Sequence, residues 1–126
     1  MFLTRMKGIG RNDANSENVL IYGAGEAGVL LVKESRINPN FSYRIVGFLD
    51  DNPNKKGGKV YGLKVLGGLE DVKKIVEKND VSKIIISMPS VEQSKISNIL
   101  KELNKLKNVS IKILPNVDNL IEEGNL

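Results

Sequence analysis

The chain has no cysteine and no histidine among its 126 residues. Without cysteine there are no disulfides, no thiolate chemistry and no cysteine-based metal sites, which fits a reducing compartment. Without histidine, triads with an imidazole base, zinc sites built on imidazole and the usual general base near neutral pH are all excluded. Any acid–base chemistry would fall to Asp, Glu, Lys or Tyr, and the two absences together argue against a self-contained hydrolase. Aromatic residues are scarce, at 5%, and no run of them could stack successive bases. No apolar run approaches the ~20 residues that a membrane-spanning helix needs. The start, Met1-Phe2-Leu3-Thr4-Arg5-Met6-Lys7, lacks the apolar stretch of a secretory signal.

What is present reads as one ordinary soluble domain. The length suits a single core that buries roughly two-thirds of the unfolded chain's surface. Apolar residues make up 40% and charged residues 27%. The net charge is +4 and the pI about 9.3, for which nucleic acid is the first partner to consider. The lysines, however, sit beside acids along helical stretches, as in Glu70-Asp71-Val72-Lys73-Lys74 and Lys101-Glu102. The expectation is a solvated surface and no nucleic-acid partner. Residues 1–16, mixed and then polar, read as a leader or linker, and residues 17–126 as the domain.

Apolar periodicity predicts the elements. Asn18 to Tyr22 is a short β-branched run ending at glycine, a buried parallel strand. Glu26 to Arg36 follows as a helix with Ala27, Leu30, Leu31 and Glu34 at helical spacing, stopped by Asn38-Pro39-Asn40. Tyr43 to Leu49 is a second strand, and Asp50 to Asn54 a turn-rich loop. Val60 to Leu66 reads as one short extended segment broken by Gly62. Leu69 to Lys78 is helical, with Leu69, Val72, Ile75 and Val76 on one face. Lys83 to Ser87 is a strand. Ser90-Val91-Glu92-Gln93 has the form of a capping box and opens a helix carrying Ile96, Ile99, Leu100, Leu103 and Leu106. Val109 to Ile113 is the last strand, stopped by Pro115, and Val117 to Glu122 a short closing helix. Strands alternating with helices predict an α/β fold of three layers: a Rossmann-like, doubly wound parallel sheet of about five strands in the order 3-2-1-4-5.

The chemistry concentrates at Gly23-Ala24-Gly25-Glu26-Ala27-Gly28. These residues directly follow a predicted strand and open a predicted helix, the context that a dinucleotide-type glycine turn requires. Gly23 permits the tight turn, Gly25 lets a phosphate approach the backbone and Gly28 lets the helix pack against the strand. The helix start offers free amides and a partial positive charge to an anion, although the Glu26 carboxylate could occupy that position itself. The alternative is a packing turn that binds nothing. An acid at the end of the second strand would bind ribose hydroxyls. Asp50 stands there, 22 residues past Gly28, with Asp51 beside it; the competing reading is turn chemistry alone. Lys55, Lys56 and Lys59 could reach a phosphate or form a solvated loop. Ser87-Met88-Pro89-Ser90, at the end of the neighbouring strand, would form the opposite wall, although capping alone explains Ser90. Catalysis finds no support: four residues past Tyr22, Tyr43 and Tyr61 stand Glu26, Gly47 and Val65, so the Tyr-x-x-x-Lys dyad of short-chain reductases and sugar dehydratases is absent. No metal site is expected.

Residues 19–28 and 43–53, with Gly62-Leu63-Lys64-Val65-Leu66-Gly67, Ile84 to Ser90 and Ile113-Leu114-Pro115, resemble the domain that precedes the catalytic domain in CapD-like polysaccharide-biosynthesis proteins. The resemblance spans about Ser16 to Glu122. It implies a CoA-binding-like domain on the cytoplasmic side of a membrane-bound nucleoside-diphosphate-sugar dehydratase or epimerase. It further implies transmembrane helices upstream and a second Rossmann domain downstream that carries NAD(P) and the dyad. On this reading the chain looks like a piece of a longer protein and meets a membrane only through upstream segments. The related domain of polyprenyl-phosphate sugar phosphotransferases is the alternative parent. A stand-alone NAD- or CoA-sensing module, or a self-associating homo-oligomeric module without ligand, are readings of a different class. The expected partner is a nucleotide-type small molecule, with NAD(P) and CoA as the candidates.

Overall fold

The computed structural model describes residues 17–88 and 93–114. Its elements are β1 (Glu17–Tyr22), α1 (Glu26–Ile37), β2 (Tyr43–Leu49), β3 (Lys59–Val60), β4 (Leu63–Gly67), a 3-10 turn (Leu69–Asp71) leading into α2 (Val72–Asn79), β5 (Lys83–Ile86), α3 (Gln93–Leu103) and β6 (Ser110–Ile113). They build one six-stranded sheet in the order β3-β4-β2-β1-β5-β6. Five strands are parallel and only β3 runs against its neighbour. The order 3-2-1-4-5 expected from the sequence is therefore present, with a short antiparallel strand added at one edge. The Ser90 capping box, the Pro115 stop and the closing helix at Val117 lie outside the described residues.

Burial of both sheet faces explains the apolar strands. On one face α1 presses Val32 onto Ile21, Phe48 and Val65. On the other, α2 and α3 bring Val72, Ile75, Val76, Ile99 and Leu103 onto Leu20, Tyr22, Leu49, Ile84 and Ile86. This is the doubly wound arrangement of a Rossmann-like fold.

Two expectations need correction. Val60–Leu66 is not one segment but a hairpin, in which Lys59 pairs with Lys64 and Val60 with Leu63. Its two turn residues, Tyr61 and Gly62, both have positive φ, 54° and 85°, the mirror-type turn that matches strand twist. Tyr61 is held in that unfavourable region from outside. The Arg36 guanidinium donates to its carbonyl at 2.8 Å and lies 5.0 Å from its ring centre. The second correction concerns α1. Its inward stripe runs through Gly28 and Val32, with Leu31 beside them, while Leu30 is 44% exposed. Gly28 must face the strand, and that rotates Leu30 to the outside.

The middle of β2 carries a β-bulge. Val19 pairs with Ile45 but Leu20 pairs with Gly47, leaving Val46 without a partner on β1. Ile45 and Phe48 consequently face α1, whereas Val46 and Leu49 face the other side. A bulge shifts the alternation of faces by one residue, and everything after it, including Asp50 and Asp51, inherits the shift.

Candidate functional site

The carboxyl ends of β1, β2 and β5 meet at the glycine turn. Gly23 has φ 117°, and a Cβ there would lie 2.4 Å from the Ser87 carbonyl oxygen. Gly28 is just as confined, its Cβ position 2.4 Å from the Gly23 carbonyl and 3.1 Å from Phe48. No other residue fits either place without backbone movement. Gly25 is different. It is exposed, its backbone is extended, and a Cβ there would meet nothing within 4 Å. Two glycines close the turn against the sheet, and the third leaves open space in front of α1.

Gly25 is also the residue from which α1 starts, and no side chain caps it. Its carbonyl accepts the first helical bond, from Val29 at 3.0 Å. Among the described residues no side chain accepts from the amides of Glu26, Ala27 or Gly28. Glu26 is exposed and does not fold back over them. Unpartnered first-turn amides and the helix dipole favour an anion at this place. Ala24, buried beneath the turn, donates its amide to Asp50 at 2.9 Å.

Asp50 thus stands against the glycine turn. Its other carboxylate oxygen accepts from the Asn52 amide at 2.9 Å, and the Lys55 ammonium is 3.7 Å away. Its own amide bonds the Gly67 carbonyl at 2.8 Å. Asp50 is therefore a turn-former and a neighbour of the glycine turn at once. Asp51 points to the opposite side. It accepts from the Tyr22 hydroxyl at 2.7 Å and from the Leu69 amide at 2.8 Å. Burial, and then the Asp51 carboxylate, push the Tyr22 hydroxyl pKa well above the usual tyrosine value, so Tyr22 stays neutral.

Ser87 is 4% exposed, and its hydroxyl turns back to the Tyr22 and Gly23 carbonyls at 3.4 and 3.3 Å. What it presents to the turn is its backbone carbonyl. Met88 packs against the core on the α2 and α3 side. Pro89 and Ser90 lie outside the described residues. Of the three loop lysines, Lys55 comes back over the turn, within 3.5 Å of the Ala24 carbonyl. Lys56 is bound to Asp71 at 3.1 Å, and Lys59 lies on β3.

Sequence reasoning missed the Tyr22–Asp51 pair. A signal existed: a tyrosine ending a fully buried strand needs a partner for its hydroxyl. Among the described residues no cluster of acids is placed to hold a metal, and no helix is long and apolar enough to cross a membrane. A cavity of about 640 Å³ opens elsewhere, between α2 and the end of α3, over Leu69, Val72, Val76 and Leu106. Its rim mixes Glu70, Glu77, Lys73 and Lys105, so it prefers neither sign of charge. The glycine turn, with unpartnered amides and open space, is the better candidate for an anionic ligand.

The chain is similar to known proteins. A family model described as a CoA-binding domain matches residues 3–115. The probable polysaccharide biosynthesis protein EpsC of Bacillus subtilis is 34% identical over 106 residues, 84% of this chain and 18% of that protein. The capsular polysaccharide biosynthesis protein CapD of Staphylococcus aureus is 29% identical over 111 residues, 87% of this chain and 18% of that protein. The chain thus spans less than a fifth of the length of these relatives. The crystal structure of UDP-D-quinovosamine 4-dehydrogenase from Vibrio fischeri superposes with a TM-score of 0.75 at 28% identity, covering 86% of each chain.

Proposed function

The chain belongs to the CoA-binding domain family, and on that premise we propose that it holds a nucleotide at the Gly23–Gly28 turn as the non-catalytic domain of a longer protein. The parent in this reading is a membrane-associated nucleoside-diphosphate-sugar dehydratase or epimerase of surface-polysaccharide synthesis, with this domain on the cytoplasmic side. Kinship with EpsC and CapD supports the pathway. One observation carries the ligand site: α1 begins uncapped, with open space at Gly25. The other groups named around the turn, Ala24, Asp50, Asp51 and Ser87, are engaged within the chain.

In this site a diphosphate lies over the amides of Gly25, Glu26 and Ala27. Helix amides and dipole stabilise its charge without a side chain. Asp50 marks the ribose end and the Ser87 carbonyl side forms the wall. The chain contributes binding and no chemistry, because the Tyr-x-x-x-Lys dyad does not occur after any of its three tyrosines.

Native mass spectrometry of the chain with NAD, NADP, CoA and UDP-sugars tests the reading. A one-to-one adduct with at least one of them is expected, together with unchanged UDP-sugar after prolonged incubation. No adduct at millimolar ligand would sink the nucleotide site, and turnover of a UDP-sugar by the purified chain would sink the non-catalytic role.

A further inference from the structure

We propose that the amino edge of the sheet, where the end of α1 meets the β3–β4 hairpin, docks onto the anionic headgroups of a lipid bilayer. The contact is the domain's own, besides any made by upstream segments, and it lies at the opposite end of the sheet from the glycine turn.

Topology assembles this edge. From the carboxyl end of β1, α1 runs back and finishes at Ile37, before β2 begins. The hairpin turn Tyr61-Gly62 immediately precedes β4, so it too stands at the amino end of the parallel strands. Arg36 joins the two, with its guanidinium 2.8 Å from the Tyr61 carbonyl and 5.0 Å from the ring centre. Ile37 at 75% and Tyr61 at 47% are the most exposed large apolar side chains among the described residues, and they share this corner.

Cations surround them. Lys33 lies 5.4 Å from the Tyr61 ring centre. Lys59 and Lys64 stand directly opposite each other on the hairpin, both exposed. Among the described residues no acid pairs with Lys33, Lys59 or Lys64. Glu34, the acid on this stretch of α1, accepts from the Asn38 side chain at 3.0 Å. Like charges directly opposite each other destabilise a strand pair. A lysine on an edge strand discourages strand addition, which accounts for Lys59. Lys64 has no such task, since β4 has neighbours on both sides.

An anionic bilayer answers both halves of the pattern. Its surface attracts cations that no acid neutralises, and its interface takes a tyrosine with the ring in the apolar layer and the hydroxyl in water. Lysine stems lie along the apolar side chains while their ammonium groups stay at the headgroups. A nucleic acid offers phosphates but no apolar phase for Ile37. An acidic protein would match the charges as well; the choice of a bilayer rests on the membrane-associated parent of the proposed function. Docked by this edge, the domain keeps the Gly23–Gly28 turn facing away from the lipid.

Co-sedimentation of the chain with vesicles tests this, with phosphatidylcholine alone and with an equal mixture of phosphatidylcholine and phosphatidylglycerol. The wild type should partition onto the mixed vesicles about tenfold or more strongly, and the excess should shrink as salt is raised. The double variant Lys59→Gln, Lys64→Gln should lose most of that excess. Lys73→Gln with Lys74→Gln, which takes the same charge from α2, should keep it. Ile37→Ser and Tyr61→Asn, the latter a residue that tolerates positive φ, should each weaken binding about twofold to fivefold. No preference of the wild type for the mixed vesicles overturns the proposal. So does an equal loss in the two lysine pairs, which would report net charge alone. Without vesicle binding, dimers in sedimentation velocity that Ile37→Ser abolishes would give the edge to a second copy, and polyuridylate binding lost with Lys59 and Lys64 would give it to nucleic acid; either overturns the proposal. Failure here leaves the proposed function standing, because nucleotide adducts of the chain and recovery of the full-length parent with membranes test that reading separately.

Discussion

Two helical segments begin at the carboxyl edge of the sheet from nearly the same backbone. Gly25 before α1 has φ −102° and ψ −157°, and Gly68 before the 3-10 turn leading to α2 has φ −115° and ψ −161°. Their surroundings differ completely. At Gly68 the Asp51 carboxylate already takes the Leu69 amide, and a Cβ would lie 2.7 Å from its oxygen. At Gly25 a Cβ would meet nothing. One start carries its own anion, and the other leaves the equivalent place open. Local geometry makes both competent for an anion, and the filling of one by the chain itself singles out the other.

The comparison breaks most severely if Asp51 is removed. Asp51→Ala takes away the partner of the Leu69 amide and leaves the buried Tyr22 hydroxyl unpaired. It should cost about 2–4 kcal/mol in urea unfolding. Adding Tyr22→Phe in that background should recover part of the loss, since the orphaned hydroxyl goes with it. A loss below about 0.5 kcal/mol would mean that Asp51 does not hold this end of α2.

The two glycines sharpen it next. Gly68→Ala and Gly25→Ala change the same backbone in the same way, so helix-start preferences cancel between them. Only Gly68→Ala forces a pinned carboxylate aside. It should cost about 1–3 kcal/mol, against about 0.5 kcal/mol or less for Gly25→Ala. Equal costs in thermal unfolding would erase the distinction between the two starts.

Binding should respond in the opposite sense. Gly25→Val fills the open space and should weaken the best-bound nucleotide about tenfold or more while leaving Tm within about 2 °C of the wild type. Asp50→Ala leaves the Ala24 amide without its acceptor, so it should cost about 1–3 kcal/mol of stability and weaken nucleotide and inorganic phosphate alike. Unchanged affinity in Gly25→Val, measured by calorimetry, would leave the glycine turn as a packing device.

The smallest effect concerns acid. The hydrogen bond from Lys56 lowers the Asp71 carboxyl from its ordinary value of 3.8. A depressed folded-state pKa gives stability that is present above the unfolded value and is lost as pH falls through the folded one. Lys56→Gln should move the Asp71 carboxyl back toward 3.8 in an NMR titration. An unmoved titration would mean that the pair does not form in solution.

Much of the fold was legible because its signals are local. Apolar strands such as Val19–Tyr22 and Ile84–Ile86 and the stripe Val72, Ile75, Val76 specify buried strands and a helix face by their spacing. The hairpin at Tyr61-Gly62 was hidden because tyrosine is not a residue that announces positive φ; Arg36, 25 residues away in sequence, holds it there. In α1 two stripes competed on the helical wheel. The third glycine of the turn should have decided for Gly28 and Val32, since its packing role already fixes which side faces the sheet. Of the candidate site, the glycine turn and the neighbourhood of Asp50 were readable. The inward turn of the Ser87 hydroxyl and the place of Lys55 were not, because both depend on carbonyls supplied by β1 and the turn after it.

The sequence by itself determined the alternation of parallel strands with helices, the glycine turn and the presence of two adjacent acids after β2. Only the tertiary structure decided which acid serves which helix. Neighbouring residues at the end of a strand point to opposite faces, and the bulge at Val46 resets that alternation before Asp50 is reached. Without the extra residue the parity would reverse, and the carboxylate now at the glycine turn would point toward Tyr22. The reason is physical: a bulge is a pairing between strands, fixed when Ile45 and Phe48 both find burial under α1, and no residue of β2 encodes it alone.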